Sequence, residues 1–211
     1  MKILVACEFS GTVRDAFIKK GHEAVSCDLL PSDTPGPHYQ GDVFDIIDQG
    51  WDMLIAFPPC TFLTNAGARW LYTKQGINQE RLKKGFEAKD FFMKLLSSKI
   101  KKVCIENPLP MRIWKLPTYT QKIHPYMFGE PYKKRTLLWL KNLQPLKPTN
   151  WIKPEKTWCP SGGHNGKTRK PGIAKKNWKQ RAITFQGIAD AMAEQWSIEK
   201  NTEYEQTKIF I

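Results

Sequence analysis

A cysteine stands directly after two prolines in segment 53–60, and a thiol presented in this way can act as a nucleophile. Residues 53–57 form an apolar run that predicts a buried strand. Pro58 and Pro59 end that strand because proline has no N–H for the ladder. Cys60 is therefore expected at the carboxyl end of a strand, the edge where open α/β sheets bind ligands. The pattern indicates a nucleophilic thiolate, with a buried structural cysteine as the alternative.

A carboxyl group follows a second short apolar run in the same manner. Residues 103–105 predict a strand, and Glu106, Asn107 and Pro108 come directly after it. In a doubly wound sheet this strand end meets the same edge as Cys60. The sequence therefore predicts a thiol and a carboxyl group at the ends of adjacent strands.

The first thirty residues have the pattern of a nucleotide-binding βαβ unit. Strands over 2–7 and 23–27 flank a helix over 12–20, and Asp28 lies 17 residues after Gly11. An acid about 20 residues after such a turn can reach a ribose hydroxyl. The single glycine argues against a pyrophosphate and is compatible with a nucleoside cofactor. The alternative is that Gly11 only forms a turn and that Asp28 only ends a strand.

Alternating strands and helices predict an α/β fold with a doubly wound sheet. Helical patterns also cover 44–49, 78–97 and 184–196, and a last strand covers 136–140. Residues 29–40 and 61–69 are expected to be loops, the second of them mobile. The predicted organisation is a catalytic domain over 1–142, a small loop-rich basic insertion over 143–180, a C-terminal helix returning to the catalytic domain over 181–198, and a tail over 199–211.

Positive charge is concentrated in one part of the chain. The net charge is +13, and residues 133–181 hold 14 Lys and Arg against the single acid Glu155. Such a cluster is typical of proteins that bind polyanions, above all nucleic acid. A solvated lysine-rich surface is the alternative. Trp151, Trp158 and Trp178 lie among these charges and either stack on bases or fill a small satellite core.

The remaining composition limits the class of protein. No apolar run in the 211 residues approaches a membrane span or a signal peptide, so we expect a cytoplasmic protein with no membrane partner. Five cysteines without framework spacing predict reduced thiols. Cys159 and His164 are too few ligands for a zinc site, and no metal is predicted.

These motifs, in this order, resemble those of the cytosine carbon-5 DNA methyltransferases, with small phage and prophage members as the nearest type. The resemblance covers about 1–140 and 181–196. It is carried by Phe9-x-Gly11, Asp28, Gly41-Asp42-Val43, Phe57-Pro58-Pro59-Cys60, Glu106-Asn107-Pro108, Lys133-x-Arg135 and Gln186-Gly187.

The resemblance implies a Rossmann-like methyltransferase sheet, S-adenosylmethionine as cofactor, and double-stranded DNA with a flipped cytosine as partner. Cys60 would attack carbon 6 of the base, Glu106 would bind N3 and the amine, and Arg135 with Lys133 would hold the O2 side. The residues implied for the cofactor are Phe9, Gly11, Asp28, Asp42, Pro58 and Gly187. Glu8 and Asp52 are further candidates for that pocket, with turn and strand-start roles as alternatives.

The chain departs from the family pattern at three positions. Thr61 replaces a glutamine, Lys133 replaces an arginine, and Ile188 replaces an asparagine. Two other functions stay open: a non-catalytic nucleic-acid binder that acts against restriction or defence systems, and the same chemistry on RNA or on a free nucleotide.

Overall fold

A seven-stranded sheet forms the centre of the computed structural model, which describes residues 1–158 and 178–198. The strands are β1 Lys2–Ala6, β2 Glu23–Asp28, β3 His38–Gln40, β4 Met53–Ala56, β5 Tyr72–Thr73, β6 Gly76–Ile77, β7 Lys102–Asn107, β8 Gln121–Ile123, β9 Tyr132–Lys133, β10 Thr136–Lys141 and β11 Lys156–Thr157. The α-helices are α1 Thr12–Lys19, α2 Ala68–Leu71, α3 Gln79–Leu96, α4 Trp178–Ala182 and α5 Gln186–Trp196.

The strand order across the main sheet is β3-β2-β1-β4-β7-β10-β8. The first five strands of this order, β3-β2-β1-β4-β7, are parallel. β10 runs antiparallel between β7 and β8. The chain winds outward from β1 to β3 and then returns to β4 on the other side of β1. The order therefore reverses between β1 and β4, where doubly wound sheets bind their ligands. The predicted Rossmann-like α/β fold is confirmed.

Both faces of the sheet are covered by helices and turns. The side chains of each strand alternate between the two faces. On β1, Ile3 and Val5 face a core shared with α1 and α5. Leu4 and Ala6 face a second core, which includes residues of α3 and of the 3₁₀ turn Arg112–Trp114. The strands therefore read as continuous apolar runs, as expected for a sheet buried on both sides.

The helix α3 was predicted from its apolar periodicity. Asn78 Oδ1 accepts a hydrogen bond from the Arg81 N–H at 3.0 Å, which caps α3 at its first turn. The interval 78–97 thus matches α3 with its two caps. The interval 184–196 matches α5 except for its first two residues, because Phe185 is extended and caps that helix.

Three local predictions need correction. The interval 29–40 is not all loop, because β3 adds to the sheet edge beside β2. The interval 44–49 is not an α-helix, and only its first two residues belong to a 3₁₀ turn, Val43–Asp45. The interval 61–69 contains the 3₁₀ turn Asn65–Gly67 and the start of α2.

The described beginning of the predicted insertion packs on α5. Gln195 binds the backbone of Lys147 twice, accepting from its N–H at 2.7 Å and donating to its carbonyl at 2.8 Å. Trp196 Nε1 donates to the Gln144 carbonyl at 2.9 Å, and Leu146 is buried. Residues 159–177 and the tail over 199–211 lie outside the described residues.

Candidate active site

Cys60 lies in a tight turn just beyond the carboxyl end of β4. The Phe57 N–H still donates to the Ala6 carbonyl at 3.0 Å, so the ladder to β1 continues one residue past the strand. The Cys60 carbonyl then accepts from the N–H groups of Leu63 at 3.1 Å and Thr64 at 3.0 Å. Cys60 itself is half-buried, which leaves part of it accessible at the sheet edge.

Asn107 fixes this turn from the neighbouring strand. Its side chain is fully buried, and Nδ2 donates to the Pro58 carbonyl at 3.0 Å. The register pairs Ala56 with Ile105, so Pro58 and Asn107 follow on the same face of the sheet. The bond therefore joins the turn of Cys60 to β7.

Glu106 faces the opposite side of the sheet from Asn107 because successive side chains alternate. It lines a narrow cleft near α5, together with Phe57, Lys134, Thr136, Ala182, Thr184, Phe185, Ile188 and Met192. Burial raises the pKa of Glu106, and the positive charge of Lys134 acts in the opposite direction. A carboxyl group with a raised pKa keeps its proton to a higher pH than usual and can donate it in a hydrogen bond.

The cation beside Glu106 is Lys134, a residue that the motif comparison passed over. Its Nζ donates to the Arg181 carbonyl at 3.3 Å and lies 5.8 Å from the ring centroid of Phe185. Lys134 lies two residues before the start of β10, the strand whose Leu138 is paired with Glu106. Its position directly before a predicted strand is the signal in the sequence that could have identified it.

Lys133 and Arg135 are the two basic residues that were expected to contact the target cytosine. Both are exposed, and neither lines the cleft of Glu106. Both lie near His124, whose pKa is lowered by burial and further by the charges of Lys122, Arg135 and Lys133. The structure does not bring Lys133 or Arg135 to Glu106.

The turn after β1 is the expected cofactor side of the site. Phe9 is buried, and Gly11 has a φ of +73°, a left-handed conformation that favours glycine. A Cβ at Gly11 would overlap the hydroxyl of Thr34 and the guanidinium of Arg14. Gly11 is thus required by the fold itself, in addition to any role toward a cofactor.

Asp28 and Asp42 lie at the same edge of the sheet. Burial raises the pKa of Cys27 to about 12, and the charges of both aspartates add to the effect. Asp28 Oδ1 accepts from the Leu30 N–H, and Asp42 Oδ1 accepts from the Phe44 N–H, each at 3.0 Å. Each bond uses one carboxylate oxygen, and the second oxygen is the one that could meet a ribose or an adenine.

Gly187, also expected at the cofactor, serves helix packing. A Cβ on this residue would overlap the Phe128 carbonyl, so its absence lets the start of α5 approach the 3₁₀ turn Pro125–Met127. Its neighbour Ile188 is buried and lines the cleft of Glu106. Pro58, the remaining predicted cofactor residue, is buried and bound through its carbonyl to Asn107.

Glu8 and Asp52 have structural roles. The Glu8 carboxylate accepts from the N–H groups of Val13 at 2.7 Å and Arg14 at 3.2 Å, which caps α1. Asp52 Oδ2 accepts from the Lys2 N–H at 2.7 Å at the start of β1. The strand-start and turn alternatives for these two acids fit the structure.

Several predictions concern what the described ranges contain. Their four cysteines form no disulfide with one another, in agreement with the prediction of reduced thiols. Within 1–158 and 178–198, no group of acidic, His and Cys side chains is arranged to hold a metal ion, and no helix is long and apolar enough to span a membrane. Cys159 and His164 lie outside these ranges. Trp151 is exposed, whereas Trp158 packs with Tyr132 and Phe185.

No family model matches the sequence, and no curated protein sequence matches it significantly. Several solved structures are similar to the chain at low sequence identity. The methyltransferase EhMeth of Entamoeba histolytica is 12% identical, with a TM-score of 0.45, over 74% of this chain and 57% of that one. A DNMT2 mutant of Spodoptera frugiperda is 14% identical, with a TM-score of 0.39, over 74% of this chain and 57% of that one. WbdD, bound to a kinase inhibitor, is 12% identical, with a TM-score of 0.37, over 69% of this chain and 39% of that one.

The chain thus spans less than two thirds of the length of these proteins. At such identity the likeness concerns the backbone path, and we transfer no residue role from it.

Proposed function

We propose that the chain is an S-adenosylmethionine-dependent methyltransferase that acts on carbon 5 of cytosine in DNA. The observation that carries the proposal is the pair of neighbouring strand ends at which Asn107 holds the turn of Cys60 while Glu106 enters a buried cleft. A half-buried thiol and a carboxyl group of raised pKa are the two groups that nucleophilic attack on a pyrimidine ring requires.

Cys60 acts first in the proposed reaction. Its thiolate forms a bond from Sγ to carbon 6 of cytosine, and the electron pair of the ring double bond moves toward carbon 5. Glu106, in its protonated form, donates a hydrogen bond at N3 and stabilises the charge that develops in the ring. After methylation, the proton on carbon 5 leaves to a base, and the C–S electron pair returns to the Cys60 sulfur as the ring double bond reforms.

S-adenosylmethionine, when bound, supplies a methyl group on a sulfonium sulfur. The carboxyl edge beside β1 and β2 suits an adenosine, because Asp28 ends β2 and Asp42 lies close by, with both charges acting on Cys27. Asp28 is proposed to accept from the ribose hydroxyls and Asp42 from the adenine amine.

DNA is the proposed substrate because of the charge of the chain. Lys134 belongs to the cleft itself, and the exposed Lys133 and Arg135 begin the basic segment that continues to 181. Phosphate binding by such a segment would place a duplex next to the cleft, and the target base would leave the stack to reach Cys60.

The direct experiment is methyl transfer. The full chain is incubated with radiolabelled S-adenosylmethionine and DNA, and the DNA is digested to nucleosides for mass spectrometry. We expect 5-methyldeoxycytidine with wild-type protein and none with Cys60→Ala. DNA binding without any methylated nucleoside would support the alternative of a non-catalytic binder. Label on RNA or on free cytidine nucleotides alone would move the chemistry to those substrates.

A further inference from the structure

A second cleft lies beside the loop that follows Cys60. It has a volume of about 310 Å³ and opens between this loop and the first turns of α3. Six residues line it: Phe62, Trp70, Asn78, Glu80, Arg81 and Lys84. Neither the proposed thiolate chemistry nor the cofactor edge uses any of them.

Cations and aromatic rings alternate in this cleft. The Arg81 guanidinium lies 5.0 Å and the Lys84 Nζ 5.9 Å from the ring centroid of Phe62. Arg69 lies 4.7 Å from the ring centroid of Trp70. Glu80 is the one acid among the lining residues and accepts from Lys84 at 2.7 Å. The two lining cations, Arg81 and Lys84, outnumber Glu80, and Arg69 lies next to the cleft on Trp70, so the net charge is positive and suits a phosphate group.

Large apolar side chains next to the cleft face solvent. Trp70 is 56% exposed, Tyr72 is 51% exposed and Ile77 is 44% exposed, on α2 and on the β5–β6 hairpin. An exposed indole beside cations is the arrangement with which proteins stack an unpaired base and bind its backbone. A solvated charged surface would not place its largest aromatic side chain outward in this way.

Arg81 also connects the cleft to the nucleophile. Its Nη2 donates to the carbonyl of Thr61, the residue after Cys60, at 2.7 Å. Gly67 gives it room, since a Cβ there would overlap the guanidinium. Arg81 Nε is buried and has no hydrogen-bond partner among the described residues, so the guanidinium keeps an unused donor.

We propose that this cleft binds one nucleotide of the substrate strand, next to the base that enters the site of Cys60. Its phosphate contacts Arg81 and Lys84, and its base stacks on Trp70. The inference rests on the proposed action on DNA and deepens it. It places the DNA nucleotide beside the target base in a subsite next to the loop that follows Cys60. This subsite is separate from the basic segment over 133–181.

Two variants test the subsite through DNA affinity, measured by fluorescence anisotropy with a labelled cytosine-containing duplex at several salt concentrations. Trp70→Ala is expected to weaken binding roughly tenfold, the loss typical of one stacked base. Lys84→Gln is expected to reduce the slope of log K against log salt by about 1, because one phosphate contact is lost. Lys94→Gln is the matched control, since Lys94 also lies on α3 above a phenylalanine, 5.7 Å from the ring centroid of Phe44. Ile18→Ala, on α1, controls for removal of an exposed apolar side chain.

The outcomes separate this inference from the proposed function. Wild-type affinity and salt slope in both variants would overturn the subsite, whatever the methyl-transfer assay shows. Loss of affinity in both variants, with Lys94→Gln and Ile18→Ala unchanged, supports the subsite even if no methyl group is transferred. Methyl transfer to free nucleotides without DNA binding would overturn the subsite and leave the Cys60 chemistry intact.

Discussion

Asn107 donates a hydrogen bond from Nδ2 to the Pro58 carbonyl at 3.0 Å and thereby ties the end of β7 to the turn of Cys60. The donor side chain is fully buried and the acceptor is the second residue before the cysteine. The bond fixes the backbone from which the thiol projects, so Asn107 is a positioning residue for the proposed nucleophile.

Asn107→Ala should therefore slow turnover by about 10- to 100-fold and leave KM for DNA nearly unchanged, because the variant loses thiol placement and not substrate contact. The lost hydrogen bond should also lower the free energy of unfolding by about 1–3 kcal/mol. Steady-state kinetics and urea unfolding measure the two effects separately. A rise in KM with unchanged kcat would contradict the positioning role.

Lys134 should set the pH dependence of the reaction through Glu106. If the protonated carboxyl group is the active form, activity falls as the pH rises through the raised pKa of Glu106. Lys134 lowers that pKa, so Lys134→Met should move the basic limb of the pH–rate profile to higher pH.

The matched control for this effect is Lys133→Met, which removes the neighbouring exposed charge. Its basic limb should coincide with that of the wild type. A shift in Lys133→Met and none in Lys134→Met would favour the original motif alignment, in which Lys133 serves the base.

Arg14 should be among the most sensitive residues for stability. It is fully buried, and its guanidinium binds Asp15, Ser26, Ser32, Thr34 and Pro35 through side-chain and carbonyl oxygens. Arg14→Met leaves these acceptors unpaired and should lower the free energy of unfolding by about 3–5 kcal/mol. Urea denaturation measures the loss, and Lys19→Met on the same helix, an exposed position, should change stability by less than about 1 kcal/mol. Equal effects from the two variants would contradict this assignment.

Glu8 should make the free energy of unfolding depend on pH. Burial raises its pKa to about 7 in the folded chain, despite the hydrogen bonds from Val13, Arg14 and Ser10 and the charge of Arg14, which lower it. The folded state therefore binds this proton more tightly than the unfolded state, and the stabilisation it gives is complete below about pH 4 and lost as the pH rises through about 7.

The loss between these limits should be about 3 kcal/mol, from the shift of the pKa and about 1.4 kcal/mol per unit. Thermal unfolding of wild type and Glu8→Gln across this range measures it. The variant should lose the part of the slope that Glu8 contributes, and parallel curves for both proteins would contradict the raised pKa.

Periodicity and proline positions were sufficient to predict the parallel core of the fold. The strands that carry Cys60 and Glu106 follow from apolar runs and the prolines after them, and the helix α3 follows from its apolar periodicity. β3 was missed because its partner β2, and not its own pattern, places it at the sheet edge.

The basic residue of the site was predicted from motif spacing, which does not show which of three consecutive basic residues enters the cleft. Spacing favoured Lys133 and Arg135, whereas the structure places Lys134 in the cleft of Glu106. The network around Arg14 was also out of reach, because its acceptors come from β2 and from the proline-rich loop over 29–37, whose path the sequence does not define.

The most direct test of the central claim is a covalent trap at Cys60. The full chain is incubated with S-adenosylmethionine and a duplex that contains 5-fluorocytosine, in which fluorine replaces the hydrogen that must leave carbon 5. We expect a denaturation-resistant protein–DNA adduct that needs the cofactor and is absent in Cys60→Ala. Absence of an adduct in the wild type, under conditions where cofactor and DNA both bind, would contradict the proposed nucleophile.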